Sequence, residues 1–172
     1  DRELEIAKDL AGRGYNILLV SRNEQNLQDC CNQLSDEFDI SSDYISSDLA
    51  NKESVRHIYQ TTKERGYDIE ILVNNAARDD RHSLASVTSE YFDERIATNL
   101  KHQLFASQAV VSDMEKNGGG AIINMGSTSW MIGQGGMPCY TTAKSAIQGL
   151  TRGLARDLGP KNIRVNCVVP GW

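Results

Sequence analysis

No stretch of this 172-residue sequence is apolar for long enough to cross a membrane, and no signal-peptide pattern opens it. A membrane partner is therefore not expected, and a cytoplasmic location is. Lys and Arg never gather without acidic neighbours; the net charge is −5 and the sequence pI about 5.2. That balance argues against a nucleic-acid partner. Cysteine is sparse: Cys30 and Cys31 are adjacent, Cys139 and Cys167 stand apart, and no C-x-x-C spacing occurs. Neither a zinc site nor a disulfide framework follows, so no metal is expected and the thiols are read as reduced. Repeats, low-complexity segments and linkers are missing too, and the length fits one domain over residues 1–172. The sequence also lacks an initiator Met. It starts at Asp1 inside a helical pattern and stops at Trp172, just after Pro170-Gly171, so both ends read as cuts.

What is present is an alternation of helical stripes and apolar runs. Leu4, Ala7, Leu10 and Ala11 recur at helical spacing, and Gly12 and Gly14 stop that helix. Residues 16–20 (NILLV) read as a buried strand. Leu27, Cys30, Leu34 and Phe38 mark a second helix, and residues 44–46 a weak strand leading to Asp48. Val55, Ile58, Tyr59 and Thr62 mark a third helix, closed by Gly66 and followed by an apolar strand at 69–73. Thr88 is a candidate N-cap for one long helix carrying Phe92, Ile96, Ala106, Val110 and Met114. A glycine triplet at 118–120 ends it, and residues 121–125 form the next strand. From Tyr140, the stripe Ala143, Ile147, Leu150, Leu154 and Leu158 runs to the Gly159-Pro160 stop, and residues 163–169 form the last strand. Helices between apolar strands predict an α/β fold: a Rossmann-like, doubly wound parallel sheet with helices on both faces. Ligands of such sheets sit beyond the C-terminal strand ends, so the chemistry is sought there.

Tyr140 and Lys144 form Y-x-x-x-K at the start of the leucine-striped helix. Residues four apart share a helix face, so phenol and ammonium can enter one site. A free phenol titrates near pH 10 and is a poor base at neutral pH. A neighbouring ammonium favours the phenolate, which makes the pair a workable acid/base. Ser127 follows one strand end, Asn74-Asn75-Ala76-Ala77 follows another, Pro170-Gly171 follows the last, and Asn99 interrupts the apolar side of the long helix. Singly, each could be an ordinary helix, turn or core residue. Jointly they point to one catalytic constellation.

In order and spacing these residues resemble the short-chain dehydrogenase/reductase family over nearly the whole chain. NNAA is similar to the family's NNAG, with Ala77 in place of glycine; Gly126-Ser127 resembles its catalytic serine turn; YTTAK resembles its YxxxK; and RVNCVVPG resembles its strand into the PG turn. The resemblance implies an NAD(P)-dependent oxidoreductase with a catalytic set of Asn99, Ser127, Tyr140 and Lys144. Tyr140 exchanges a proton with the substrate oxygen, Lys144 favours its phenolate and holds the nicotinamide ribose, Ser127 hydrogen-bonds the substrate oxygen, and Asn99 anchors a relay water. It places the cofactor on Ser21, Arg22, Asp48, Leu49, Asn75, Ala76, Ala77, Tyr140, Lys144, Pro170 and Gly171. Ser21 stands where NAD-preferring relatives carry an acid, and Arg22 can pair with a 2′-phosphate, so NADP is expected over NAD. Asp48 competes as a plain helix N-cap.

The loop 77–82 (ARDDRH), with residues 127–130 and Pro170-Gly171-Trp172, is similar to aldose 1-dehydrogenases of that family. It implies a small-molecule alcohol or sugar substrate held by Asp80, His82, Ser129, Trp130 and Gln134. His82 is expected to be structural rather than a base, because Tyr140 fills that role. Charges pairing with one another within a solvated loop are the other reading of this segment. A ketoacyl or general carbonyl reductase, and a non-catalytic relative serving assembly, also stay open. The family's use of the two long helices implies a homodimer or homotetramer. The resemblance further implies an upstream strand and glycine-rich turn, where this sequence has Asp1-Arg2-Glu3. Without that strand, NILLV and IEILV are expected to be open sheet edges, and these 172 residues alone to be poorly stable and inactive.

Overall fold

The computed structural model describes residues 2–171, the side chain of Arg2 excepted. The element order is α1 (Arg2–Gly12), β1 (Ile17–Ser21), α2 (Glu24–Glu37), β2 (Ser42–Ser46), α3 (Ser54–Glu64), β3 (Ile71–Asn74), α4 (Ser89–Ile96), α5 (His102–Lys116), β4 (Gly120–Met125), α6 (Pro138–Leu158) and β5 (Ile163–Val168). Every strand pair is parallel, as the alternation of helix and strand requires. The described strands form two sheets, β1-β2 and β3-β4-β5, and the chain divides into two compact units, Asp1–Asp48 and Leu49–Trp172. Among the described residues, β1 pairs only with β2, and β3 only with β4.

In the first unit β1 and β2 run in register from Ile17 beside Ser42 to Ser21 beside Ser46. Ala7 and Ala11 of α1 bury against Leu34 of α2, with Ile17, Leu19 and Phe38 packed around them. The buried face of α2 is Leu27, Cys31 and Leu34, so Cys31 rather than Cys30 lies on the stripe. Burial pushes the Cys31 thiol up, away from thiolate. Asn23 starts α2 by accepting the Asn26 N–H at 3.0 Å, satisfying a donor the helix itself cannot. Of NILLV, expected to be buried, residues 17–20 are only half-buried and Asn16 is exposed.

In the second unit Val110 and Met114 of α5, Leu158 of α6, and Ile122, Ile163 and Val165 of the sheet form one apolar core. Gly119 is required where it stands. Its φ is +146°, and a Cβ there would lie 2.6 Å from the Asn162 carbonyl oxygen. The buried Asp113 carboxylate ties α5 to α3 by accepting from Lys63 Nζ at 2.7 Å and the Tyr59 hydroxyl at 3.3 Å.

A file of buried amides underlies the strand ends. Asn74 and Asn124 are register partners on β3 and β4, and Asn74 Nδ2 donates to Asn124 Oδ1 at 2.9 Å. Asn124 Nδ2 donates to Thr151 Oγ1 at 3.1 Å, and that hydroxyl donates to the Ile147 carbonyl at 2.8 Å. All three side chains are buried, so each bond is costly to lose. Asn124→Leu should therefore destabilise the protein by about 2 kcal/mol, because it leaves Asn74 Nδ2 only its long 3.5 Å contacts to the Gln103 carbonyl and Ser107 Oγ and breaks the link to α6. Urea unfolding of the variant checks this; an unchanged midpoint would show that the file carries no stability.

The long helix expected from Thr88 is interrupted. Thr88 does cap it, its Oγ1 accepting the Tyr91 N–H at 3.1 Å. Residues Ala97–Lys101 between α4 and α5 then form one wide π turn. Such a turn inserts a residue and rotates the helix beyond it, and these turns favour functional positions. It carries Asn99. Phe92, expected on the core stripe, is 41% exposed. The other correction concerns Asp48. The N-cap of α3 is Glu53, not Asp48, because the chain first turns at 51–53, where Asn51 Oδ1 accepts the Glu53 N–H at 3.0 Å.

Candidate active site

Three turns leave the sheet β3-β4-β5 at one level. Register aligns Asn74 with Asn124 and Asn124 with Cys167, so the residues after each strand emerge together at the C-terminal edge. Asn75, Ala76 and Ala77 follow β3; Ser127 follows β4; Pro170 and Gly171 follow β5. The last two turns are stitched together. Gly126 N–H donates to the Val168 carbonyl at 2.7 Å, and Thr128 donates to the Pro170 carbonyl through its N–H at 3.1 Å and its hydroxyl at 3.2 Å. Gly126 permits this approach, since a Cβ there would meet Cys167 Sγ at 2.9 Å.

Tyr140 and Lys144 lie in the first two turns of α6, which begins at Pro138. Pro suits the opening position because the first-turn N–H groups have no intrahelical acceptor. Lys144 is 2% exposed, and its ammonium donates to the Met125 carbonyl at 2.7 Å. That bond fixes α6 beneath the end of β4, two residues before Ser127. The ammonium stands 5.6 Å from the centre of the Tyr140 ring, as the four-residue spacing requires. Tyr140 is half-buried. Ser127 Oγ donates to Ser129 Oγ at 2.9 Å and accepts the Ser129 N–H at 3.1 Å, so the serine hydroxyl is held by its own turn. Ser129 itself is buried.

Asn99 is fully buried, and its amide grips the backbone of Arg78 on both sides: Oδ1 accepts the Arg78 N–H at 2.7 Å and Nδ2 donates to the Arg78 carbonyl at 3.0 Å. A side chain expected to anchor a relay water thus holds the residue that follows the NNAA turn. Three residues on, at the head of α5, His102 is buried, and among the described residues neither ring nitrogen has a well-formed hydrogen bond. Burial pushes its pKa down to about 4; the Thr98 and Ala97 carbonyls oppose that shift and the nearby Lys144 charge adds to it. Nothing in the local sequence distinguishes this histidine from an exposed one.

Of the two readings of the loop 78–82, free polar groups or paired charges, the structure has the charges largely paired. Arg78 Nη1 bonds Glu94 at 2.9 Å, and the Asp80 carboxylate takes Arg78 at 3.2 Å and the buried Arg95 at 2.5 Å. Arg81 donates to the Gly135 carbonyl at 3.0 Å, and the Gln134 amide, with its oxygen turned inward, accepts from the same guanidinium. Both nitrogens of His82 are engaged. Trp130 and Gln134 border an open depression of about 520 Å³ together with Gly133, Thr141, Thr142 and Ser145. Trp172 lies outside the described residues.

The remaining sites belong to the other unit or to its boundary. Ser21 is the last residue of β1, and Arg22 follows it, exposed and without an ion pair among the described residues. Asp48 is exposed and Leu49 half-buried. Of the segment Asp1-Arg2-Glu3, Asp1 lies outside the described residues; Glu3 and Glu5 occupy the first turn of α1. Carboxylates there suit the helix dipole but oppose a phosphate at the same end. Among the described residues no helix is long and apolar enough to cross a membrane.

Comparison with known proteins places this arrangement. The profile of the family described as "short chain dehydrogenase" matches residues 4–172. The chain is 54% identical to D-xylose 1-dehydrogenase of Caulobacter vibrioides over 128 residues, which covers 74% of this chain and 50% of that protein. It is 37% identical to the "Probable galactose dehydrogenase" of Rhizobium meliloti, covering 96% and 65% respectively. Among solved structures, L-sorbose reductase from Gluconobacter frateurii, complexed with NADPH and L-sorbose, superposes with a TM-score of 0.93 at 27% identity, covering 98% of this chain and 64% of that one. The short-chain dehydrogenase of Sphingobium yanoikuyae in complex with NADPH gives 0.88 at 28%, covering 96% and 64%. The chain thus spans between half and about two thirds of the length of these relatives. With that profile matching almost the whole of it, the chain belongs to the short-chain dehydrogenase family.

Proposed function

We propose that the protein is an NADP-dependent dehydrogenase that interconverts a sugar hemiacetal, or a related secondary alcohol, with its lactone or carbonyl. The observation that carries this reading is the Tyr140–Lys144 pair, with the ammonium buried and bonded to the Met125 carbonyl one residue before the Gly126-Ser127 turn. In the oxidative direction Tyr140, as phenolate, removes the hydroxyl proton of the substrate. Lys144 favours that phenolate through its charge. Ser127 turns its hydroxyl proton from Ser129 to the substrate oxygen, and Asn99 keeps the Arg78 backbone, and so the loop beside the site, in place. The bound nicotinamide supplies the acceptor for the hydride that leaves the same carbon. In reduction the proton runs the other way.

The donor set fits a 2′-phosphorylated dinucleotide. Ser21 adds no negative charge at the end of β1, and Arg22, exposed and without an ion pair among the described residues, offers the planar fork that binds phosphate in two-point fashion. Asp48 and Leu49 contribute to the adenine; Asn75, Ala76, Ala77, Pro170 and Gly171 line the nicotinamide side with Tyr140 and Lys144. The NADPH complexes of the two similar structures support the phosphate reading. The xylose and galactose enzymes among its relatives support an aldose substrate, with Trp130 and Gln134 at the depression beside α6, and Ser129 in the turn before Trp130, as the sugar contacts. Leu104 and Phe105, about two-fifths exposed on α5, supply apolar surface for the expected pairing of copies through α5 and α6.

The test is to follow NADPH formation by the full-length protein with D-xylose, D-galactose and simple secondary alcohols. Failure to reduce either coenzyme with any of them would defeat the proposal. Ser21→Asp should then move preference toward NAD by ~10-fold or more in relative kcat/KM, since a carboxylate accepts from ribose hydroxyls and repels a 2′-phosphate. A wild-type protein that already prefers NAD would show that Arg22 does not meet the phosphate.

A further inference from the structure

His82 is bonded on both sides, and the bonds join parts of the chain that are far apart in sequence. Its Nε2 lies 3.1 Å from the backbone nitrogen of Cys139, fifty-seven residues away. A backbone N–H can only donate, so Nε2 must be unprotonated there. The ring proton of the neutral side chain is then on Nδ1. That nitrogen donates to the Asp80 carbonyl at 2.8 Å and lies 3.0 Å from the Tyr91 hydroxyl. The backbone runs parallel to these links: His82 N–H donates to the Gly136 carbonyl at 2.9 Å.

The need for this bond lies in how α6 begins. Its N-cap residue is Met137, whose side chain offers no acceptor, and Pro138 follows. The Cys139 N–H is in the first turn and has no acceptor within its own helix. Cys139 is buried, so water is a poor substitute. His82 therefore supplies the missing cap from a distant loop. The next residue is Tyr140.

We propose that neutral His82 is a positioning residue that caps α6 through the Cys139 N–H and thereby holds Tyr140 at the site. The catalytic consequence rests on the function proposed above; the capping itself does not. Protonation would break the cap. An imidazolium has two N–H donors and no acceptor, so its Nε2–H would face the Cys139 N–H. It would also set a positive charge at the positive end of α6.

The surroundings offer it little compensation. On the loop, the Asp80 carboxylate is engaged with Arg78 and Arg95, and Arg81 is directed to the Gly135 carbonyl. On α4, Glu94 is paired with Arg78 and Arg95, whose guanidinium lies 4.6 Å from the centre of the Tyr91 ring. Tyr91 presents a neutral hydroxyl and the edge of its ring, centred 5.0 Å from the imidazole. On α6 the nearest titratable groups in sequence are the Cys139 thiol, the Tyr140 phenol and the Lys144 ammonium. Asp79 is exposed on the loop. Thus the nearby carboxylates of Asp80 and Glu94 already serve arginines.

Two substitutions separate the acceptor from the ring. His82→Phe keeps an aromatic ring and removes both bonds. His82→Gln offers an amide oxygen to the Cys139 N–H and an N–H to Asp80, and does not titrate. Amide hydrogen exchange in the first turn of α6, corrected for intrinsic rates, reads the cap without any need for activity. The wild type should protect Cys139. His82→Gln should protect it too, and His82→Phe should not. In turnover, His82→Phe should lower kcat by ~10-fold or more with KM for the coenzyme little changed, since misplacing a reacting group costs up to ~10²-fold. His82→Gln should restore most of that loss. Equal protection in wild type and His82→Phe overturns the proposal. If His82→Phe does not fold, His82→Leu, which also offers no acceptor, takes its place in the exchange comparison with wild type and His82→Gln. An inactive wild type would defeat the proposed function, and exchange would still decide the cap.

Discussion

Tyr140→Phe should lower kcat by ~10³-fold while leaving coenzyme affinity within a few fold, because one general acid/base is worth ~10²–10⁴-fold. Phe keeps the ring, its packing on the first turn of α6, and its place 5.6 Å from the Lys144 ammonium. Only the hydroxyl is lost. Lys144 keeps its bond to the Met125 carbonyl, so the helix stays seated under β4. The effect should therefore fall on the proton-transfer step rather than on binding or folding. Steady-state rates with coenzyme fluorescence titration separate these. A variant that keeps most of its rate would remove Tyr140 from the chemistry. A variant that loses coenzyme binding along with rate would assign the phenol a structural role.

Lowering the pH from about 6.5 to about 4 should cost the second unit about 3 kcal/mol through His102 alone, an order-of-magnitude figure from its depression from 6.5 to about 4. The sign is set by which state takes the proton. Above about pH 6.5 the imidazole is neutral whether the chain is folded or not, and stability is full. Between these values the unfolded chain binds a proton that the folded chain refuses. Stability therefore falls as the pH falls through this window, and levels off once the folded state is protonated too. Burial is the first cause, since His102 is 4% exposed, and the Lys144 charge adds to it. His102→Leu should remove this slope, so its stability relative to wild type should rise as the pH drops. Urea midpoints at several pH values for the two proteins provide the measurement. Parallel curves would show that His102 is solvated in the folded state.

The helices and strands were legible because their signals are local. Leu27 and Leu34 recur at helical spacing, Thr88 is a cap, and Gly159-Pro160 is a stop; each works through neighbours a few residues away. The Tyr140–Lys144 pair was legible for the same reason, since four residues bring two side chains to one helix face. The π turn at Ala97–Lys101 was not. Its residues suit an ordinary helix, and the Arg78 backbone gripped by Asn99 lies twenty-one residues earlier. Cys31 replaced Cys30 on the buried face of α2 because adjacent cysteines share the same apolar signal and packing chooses between them.

Composition and order by themselves determined the parallel α/β class, the strand ends at which chemistry gathers, and the acid/base pair on α6. These come from periodicity and from the handedness of crossover connections, which hold for any chain with this alternation. Tertiary structure alone decided which polar residues are free to meet a ligand. In the sequence Asp80 and His82 suit a polyol or a loop that pairs its own charges equally well, and in the structure Asp80 joins Arg95 and His82 joins Cys139. Asn74 looks like one more residue of a turn motif, yet it donates to Asn124 on the neighbouring strand. A buried donor or acceptor takes the nearest complementary group in space, whatever its distance along the chain. That choice depends on strand register and helix placement, neither of which any local stretch of residues encodes.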